Sequence, residues 1–183
     1  MVDSGGGVTV CGGEPLMHHD YLIEILKELG KRGFHRCVDT TLFASESVIR
    51  EVVANSELLL VDLKLMDSEK HKFYTGVPNE PILNNIRLAA KLGAEFYIRI
   101  PLIVGVNADR ENIEKSAEFL KTLPWKTKQV NLLAYHDIGK GKHARMRTIY
   151  NPQQYEMLEP TKEQLEECVA IFQSHGIHAR IGG

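Results

Sequence analysis

The chain has 183 residues, 43% of them hydrophobic and 25% charged, with a formal net charge of −2. That length supports one domain with a real core, and the charge balance excludes the basic surface of a nucleic-acid binder and gives no reason to expect membrane attachment. The longest apolar run, Leu58-Leu59-Leu60-Val61, is far too short to cross a bilayer. No signal peptide is read at the start, and Cys11, Cys37 and Cys168, odd in number and widely spaced, read as reduced thiols of a cytoplasmic protein.

In chain order, the β-branched run Val8-Thr9-Val10 ends abruptly in Gly12-Gly13-Glu14-Pro15, which predicts a strand turning sharply into a helix. Two glycines without Cβ let a ligand approach the backbone, and Glu14 places a negative charge at the same turn. From His18 to Lys31, apolar residues at Tyr21, Leu22, Ile25, Leu26 and Leu29 follow helical spacing, and Gly30 and Gly33 end it. His35 to Thr40 is a short strand. Ser45 or Ser47 caps a helix running to about Ala54. Glu57 to Lys64 reads as a nearly continuous apolar strand, as buried parallel strands do. Asp67 begins a short helix through Phe73, and Pro81 to Leu92 is another, with Ile82, Ile86, Leu88, Ala89 and Leu92 turned inward. Ala94 to Pro101 is a strand, Asp109 caps a helix to Leu123, and Gln129 to Leu133 is a strand. Ala134 to Glu159 is a long irregular stretch, of the kind that carries function or moves. Thr161 caps a helix to His175, and Ile177 to Ile181 is the last strand.

Strands and helices alternate throughout, which predicts an α/β fold of parallel strands with right-handed crossovers, either an open sheet or part of a barrel. In either, the strand ends share one face where ligand sites form. Gly12, Gly13, Glu14, Asp39, Thr40, Asp62, Lys64, Arg99 and His136 all fall at or near such ends. Singly, each has an ordinary structural role as turn, cap or ion pair. Together they mark a site, because charge at strand ends is costly unless something pairs with it.

The string Gly5-Gly6-Gly7-Val8-Thr9-Val10-Cys11-Gly12-Gly13-Glu14-Pro15-Leu16 resembles the GGE motif of radical S-adenosylmethionine enzymes, and more narrowly the activating enzymes of glycyl radical enzymes, where Ser is common at the position of Cys11. Further motifs follow in the family's order. Asp39-Thr40 matches its DT pair, Asp62-Leu63-Lys64 its DLK, and Ile98-Arg99-Ile100-Pro101 with Gly105 its arginine strand and glycine turn. Leu132-Leu133-Ala134-Tyr135-His136-Asp137-Ile138-Gly139-Lys140-Gly141-Lys142 matches its LLPYH-x-x-G-x-x-K segment. The resemblance implies a partial (β/α) TIM-like barrel in one radical S-adenosylmethionine core domain, residues 1–183. It implies that Gly12, Gly13, Glu14, Lys64, Arg99 and His136 bind S-adenosylmethionine, and that Asp39, Thr40 and Asp62 hold a monovalent cation near its carboxylate. The partner implied is a glycyl radical enzyme such as pyruvate formate-lyase, and the electron donor a flavodoxin or ferredoxin.

Three features depart from the family. The CxxxCxxC motif that binds a [4Fe-4S] cluster is absent from this chain, which begins just before GGE. The expectation is therefore a core lacking its first strand and cluster loop, with the cluster in a longer protein and no activity in this chain alone. DTNG reads Asp39-Thr40-Thr41-Leu42, and the proline of LLPYH is Ala134. The function expected is that of an activase: reductive cleavage of S-adenosylmethionine to a 5′-deoxyadenosyl radical that abstracts hydrogen from a partner's glycine. The alternatives are a non-catalytic α/β scaffold binding S-adenosylmethionine or a partner, and a barrel lyase using Lys64 as a Schiff-base amine.

Overall fold

The computed structural model describes residues 6–136 and 155–182. Among them, β1 (Gly7–Val10), β2 (His35–Thr40), β3 (Leu58–Asp62), β4 (Phe96–Leu102), β5 (Gln129–Ala134) and β6 (His178–Ile181) form one sheet in strict chain order, every neighbour parallel. The connections carry α1 (His19–Lys31, after a 3-10 turn at Pro15–His18), α2 (Glu46–Ala54), α3 (Ser68–Thr75), α4 (Glu80–Lys91), α5 (Arg110–Lys121) and α6 (Lys162–Ser174). Right-handed crossovers in a sequential order put successive helices on the same side. A doubly wound sheet would reverse its order part-way. The arrangement is thus the arc of a (β/α) barrel.

Strand alternation then sorts the side chains. On β4, Phe96, Ile98, Ile100 and Leu102 are buried, while Tyr97, Arg99 and Pro101 between them are only half-buried. Val38, Leu59, Val61, Val130, Leu132 and Ala179 join the buried row, which packs with Leu26, Ile49, Ile86, Ile113 and Phe172 of the helices in one apolar core. The opposite face carries Asp39, Asp62, Arg99 and Arg180 and stays open. This corrects the reading of Glu57 to Lys64 as a strand buried on both sides. β3 runs only from Leu58 to Asp62 and alternates, with Leu58, Leu60 and Asp62 half-buried. Lys64 lies beyond it, in the loop to α3. α4 also ends one residue earlier than its pattern predicts, leaving Leu92 39% exposed.

The helix ends follow local chemistry. Asp67, Asp109 and Thr161 each accept a backbone N–H of the first turn, and Thr161 forms a full capping box with Gln164. Ser45 precedes α2 without a side-chain cap bond.

The loop after β2 departs from simple rules. Leu42 adopts φ +60°, a left-handed conformation that a β-carbon disfavours. It is held there because its side chain is fully buried and because Asn85 Nδ2 donates to the Leu42 and Ala44 carbonyls, each at 2.8 Å. Leu42→Gly relieves a backbone penalty of about 1–2 kcal/mol but empties a core site for which leucine truncation costs about 2–5 kcal/mol. The net expected in urea unfolding is a loss of about 2 kcal/mol; a gain in stability would show that the backbone conformation dominates.

Candidate functional site

The glycine turn after β1 is fastened by its own glutamate. Glu14 Oε1 accepts from Leu16 N at 3.1 Å and from Thr40 Oγ1 at 2.6 Å. Its Oε2 accepts from Thr41 N at 2.8 Å and from Thr41 Oγ1. A carboxylate offers about four acceptor positions, and all are used. Glu14 therefore ties the end of β1 to the end of β2 and caps the 3-10 turn. Gly12 and Gly13 stand above this clamp with φ of +105° and +24°. A β-carbon on either would meet nothing within 4 Å, so their positive φ, and not crowding by the protein, calls for glycine, and the backbone lies open to a ligand.

On the open face, three strands converge on Arg99. Its Nε and Nη2 donate to Asp62 Oδ1 at 3.0 and 2.8 Å, its Nη1 donates to Asp39 Oδ2 at 2.9 Å, and Nη2 also reaches Asp39 Oδ1. Lys64 Nζ donates to Asp62 Oδ2 at 3.1 Å. Asp62 and Arg99 are register partners across β3 and β4, so strand pairing itself brings them together. The four side chains are between 19% and 31% exposed, and their charges cancel. Burial works against the Arg99 charge, but Asp62 and Asp39 outweigh it and raise the guanidinium pKa further above its ordinary value. Cys37 lies beneath, its thiol pushed up by burial.

Asparagines that the sequence reading passed over position Lys64. Asn107 Nδ2 donates to the Lys64 and Pro101 carbonyls at 2.8 and 2.6 Å, while its Oδ1 accepts from Ile103 N at 2.8 Å. Asn112 accepts from Met66 N at 2.9 Å, and Asn79 Nδ2 donates to the Leu65 and Met66 carbonyls, each at 2.9 Å. All three are buried. The glycine turn at Gly105 is as expected: φ is +89°, and a β-carbon would sit 2.6 Å from the Glu156 carbonyl.

The structure does not gather every expected residue. Asp39 and Thr40 point to opposite faces of β2, and the Thr40 hydroxyl serves Glu14. The Thr40 hydroxyl is therefore turned away from any cation shared by Asp39 and Asp62. His136 lies at the exit of β5, its Nδ1 3.1 Å from Glu159 Oε1, with both side chains more than half exposed. It makes no bond to the Arg99 group among the described residues. Asp137 to Lys142 lie outside the described residues. Among the described residues, no set of three His, Cys, Asp or Glu is arranged to hold a metal. Cys11 is exposed, and Cys37 and Cys168 are buried on β2 and α6.

The Radical SAM superfamily model matches residues 2–120. The chain belongs to the radical SAM superfamily. A domain of pyruvate-formate lyase-activating enzyme from Bacteroides vulgatus ATCC 8482 superposes with a TM-score of 0.83 at 49% identity, over 97% of this chain and 99% of that one. Trans-4-hydroxy-L-proline dehydratase activating enzyme of Clostridioides difficile is 40% identical over 184 residues, 99% of this chain and 60% of the relative. 4-hydroxyphenylacetate decarboxylase activating enzyme of Clostridium scatologenes is 35% identical over 181 residues, 98% of this chain and 57% of the relative. The chain thus spans about three-fifths of the length of these curated relatives.

For a radical SAM protein, the open glycine turn and the neighbouring cations suit the amino-acid end of S-adenosylmethionine. Cys11, Cys37 and Cys168 lie after β1, on β2 and on α6 and form no set of three ligands among the described residues, so they do not suit an iron–sulfur cluster. In this radical SAM fold the Glu14 clamp sets the turn. Glu14→Gln replaces two acceptor oxygens by one oxygen and one NH2 facing the Thr41 N–H. Bonds to a charged group contribute about 1.5–3 kcal/mol, so a loss of about 2 kcal/mol is expected in denaturant titration. Unchanged stability would show that Glu14 does not hold the two strand ends together.

Proposed function

We propose that this chain is the S-adenosylmethionine-binding core of a glycyl radical enzyme activase. The observation that carries the reading is the Asp39–Arg99–Asp62–Lys64 network on the open face, at strand ends shared with the exposed Gly12-Gly13 turn. In this reading the Gly12 and Gly13 backbone receives the ligand's ammonium. Lys64 faces its carboxylate. Lys64 is the freer of the two cations, with Asp62 as its single ion-pair partner among the described residues and 31% exposure. Arg99 is held by two carboxylates, so its role is to fix Asp39 and Asp62 and to add charge to the same pocket. Those two aspartates, with the Thr40 carbonyl, are the place for a monovalent cation only when Arg99 or Lys64 yields an oxygen. His136 is the candidate contact toward the adenosine end.

Bound and reduced, S-adenosylmethionine supplies a 5′-deoxyadenosyl radical, the species that would take hydrogen from a glycine of a partner enzyme. The partner is a glycyl radical enzyme, with a flavodoxin or ferredoxin as donor and the cytoplasm as compartment. The relatives' names, all activating enzymes, support this assignment. The described residues do not suit a cluster, so their part is binding and orientation, and no electron-transfer step is assigned to them. A Schiff-base role for Lys64 has less support: its amine stands in an ion pair with Asp62, not in the apolar or cationic setting such an amine needs.

Calorimetry with S-adenosylmethionine tests the reading. Partly exposed ion pairs contribute only about 0–1 kcal/mol each, so the chain alone is expected to bind with a Kd on the order of millimolar, near −4 kcal/mol. Lys64→Met should weaken binding up to about fivefold, about 1 kcal/mol, without unpairing Arg99. No binding at millimolar ligand, or micromolar binding indifferent to Lys64, would overturn the assignment.

A further inference from the structure

One guanidinium on the open face stands outside the network around Arg99. Arg99, Asn131 and Arg180 are register partners across β4, β5 and β6, so they project from one level of the same face. Asn131 is 3% exposed, and its Oδ1 accepts from Arg180 Nε at 3.0 Å. Gln129, two residues earlier on β5, donates to the same Asn131 Oδ1 at 3.0 Å; turned the other way, its amide oxygen instead reaches Arg180 Nη2 at 3.1 Å. Both partners are neutral. The charges of Asp39, Asp62, Lys64 and Arg99 cancel, and Glu14 is saturated by the Leu16, Thr40 and Thr41 donors. Arg180 is exposed and has no ion-pair partner among the described residues. A neutral acceptor fixes its orientation, and no carboxylate among the described residues pairs with its charge. Such a group is preorganised for a carboxylate, because its ordering entropy is spent before the ligand arrives.

We propose that Arg180 is a specificity residue that recognises an acidic side chain on the polypeptide the protein acts on. This inference rests on the activase reading above. The single carboxylate of S-adenosylmethionine is assigned to Lys64. Arg180 lies two strands beyond Arg99, roughly 10 Å away at the usual strand spacing. β6 is the last strand of the described sheet, so Arg180 stands at one end of the open face. An extended chain advances about 3.3 Å per residue. With the partner's glycine placed over Arg99, the acidic residue should therefore lie about three positions from that glycine.

The test uses the full chain and two capped, glycine-centred nonapeptides. One carries aspartate three residues from the glycine, and the other carries asparagine there. Binding is followed by NMR titration, with S-adenosylmethionine calorimetry in parallel. The wild-type chain is expected to prefer the aspartate peptide about tenfold, as for one charge-assisted bidentate contact. Arg180→Met should bind both peptides equally, and Arg180→Lys should retain part of the preference. S-adenosylmethionine affinity should be the same in all three. Equal binding of the two peptides by the wild type, or binding of neither, would overturn the proposal. So would a loss of S-adenosylmethionine affinity in Arg180→Met, which would place Arg180 in the cofactor pocket. Failure of the wild type to bind S-adenosylmethionine would instead defeat the activase reading, whatever the peptides do.

Discussion

The site depends on one guanidinium shared by two carboxylates. β2 and β3 deliver Asp39 and Asp62 to the same spot, and without a cation between them two like charges would face each other in a half-buried setting. Arg99 resolves this from the neighbouring strand. The same contact fixes register. A one-residue slip of β4 would turn Arg99 into the helix-covered core and bring Ile98 or Ile100 to the open face. Fold and site are specified by the same side chain.

Around that centre, two sets of bonds hold the approach loops. On one side Glu14 joins the glycine turn to Thr40 and Thr41, so the first two strand ends move as one piece. On the other, Asn79, Asn107 and Asn112 hold the backbone from Lys64 to Met66. Each uses a buried amide to satisfy carbonyls that no strand or helix would otherwise pair. The result is a rigid pair of loops on either side of a charged cluster that is neutral overall. A ligand carrying both an ammonium and a carboxylate can enter such a cluster without leaving net charge behind.

Much of this was legible in the sequence. Regular alternation of apolar strands and amphipathic helices marks the α/β order, and motif order at strand ends groups Asp39, Asp62, Lys64 and Arg99. What periodicity could not give was which face each residue takes when strands are short. Thr40 follows Asp39 in sequence, yet it faces the opposite way and serves Glu14. Leu58-Leu59-Leu60 looked buried on both sides because an open barrel face still tolerates leucine. Thr41 meets the Glu14 side chain 27 residues away, and the loop asparagines meet backbone partners such as Leu65, 14 residues from Asn79, and Met66, 46 from Asn112. Asn131, an asparagine inside β5 where strands disfavour it, pairs with Arg180. Leu42 shows the reverse: a position whose φ suits glycine holds leucine because burial outweighs the strain.

The Arg99 cluster is the proposed seat of the methionine end of S-adenosylmethionine. A crystal structure of the chain with S-adenosylmethionine at high concentration tests this directly. The ammonium is expected at the Gly12-Gly13 backbone, with the carboxylate within hydrogen-bond reach of Lys64 Nζ on the open face. Ligand density elsewhere, such as the cleft between Phe73 and Asp109, with the Arg99 cluster unchanged, would contradict the account.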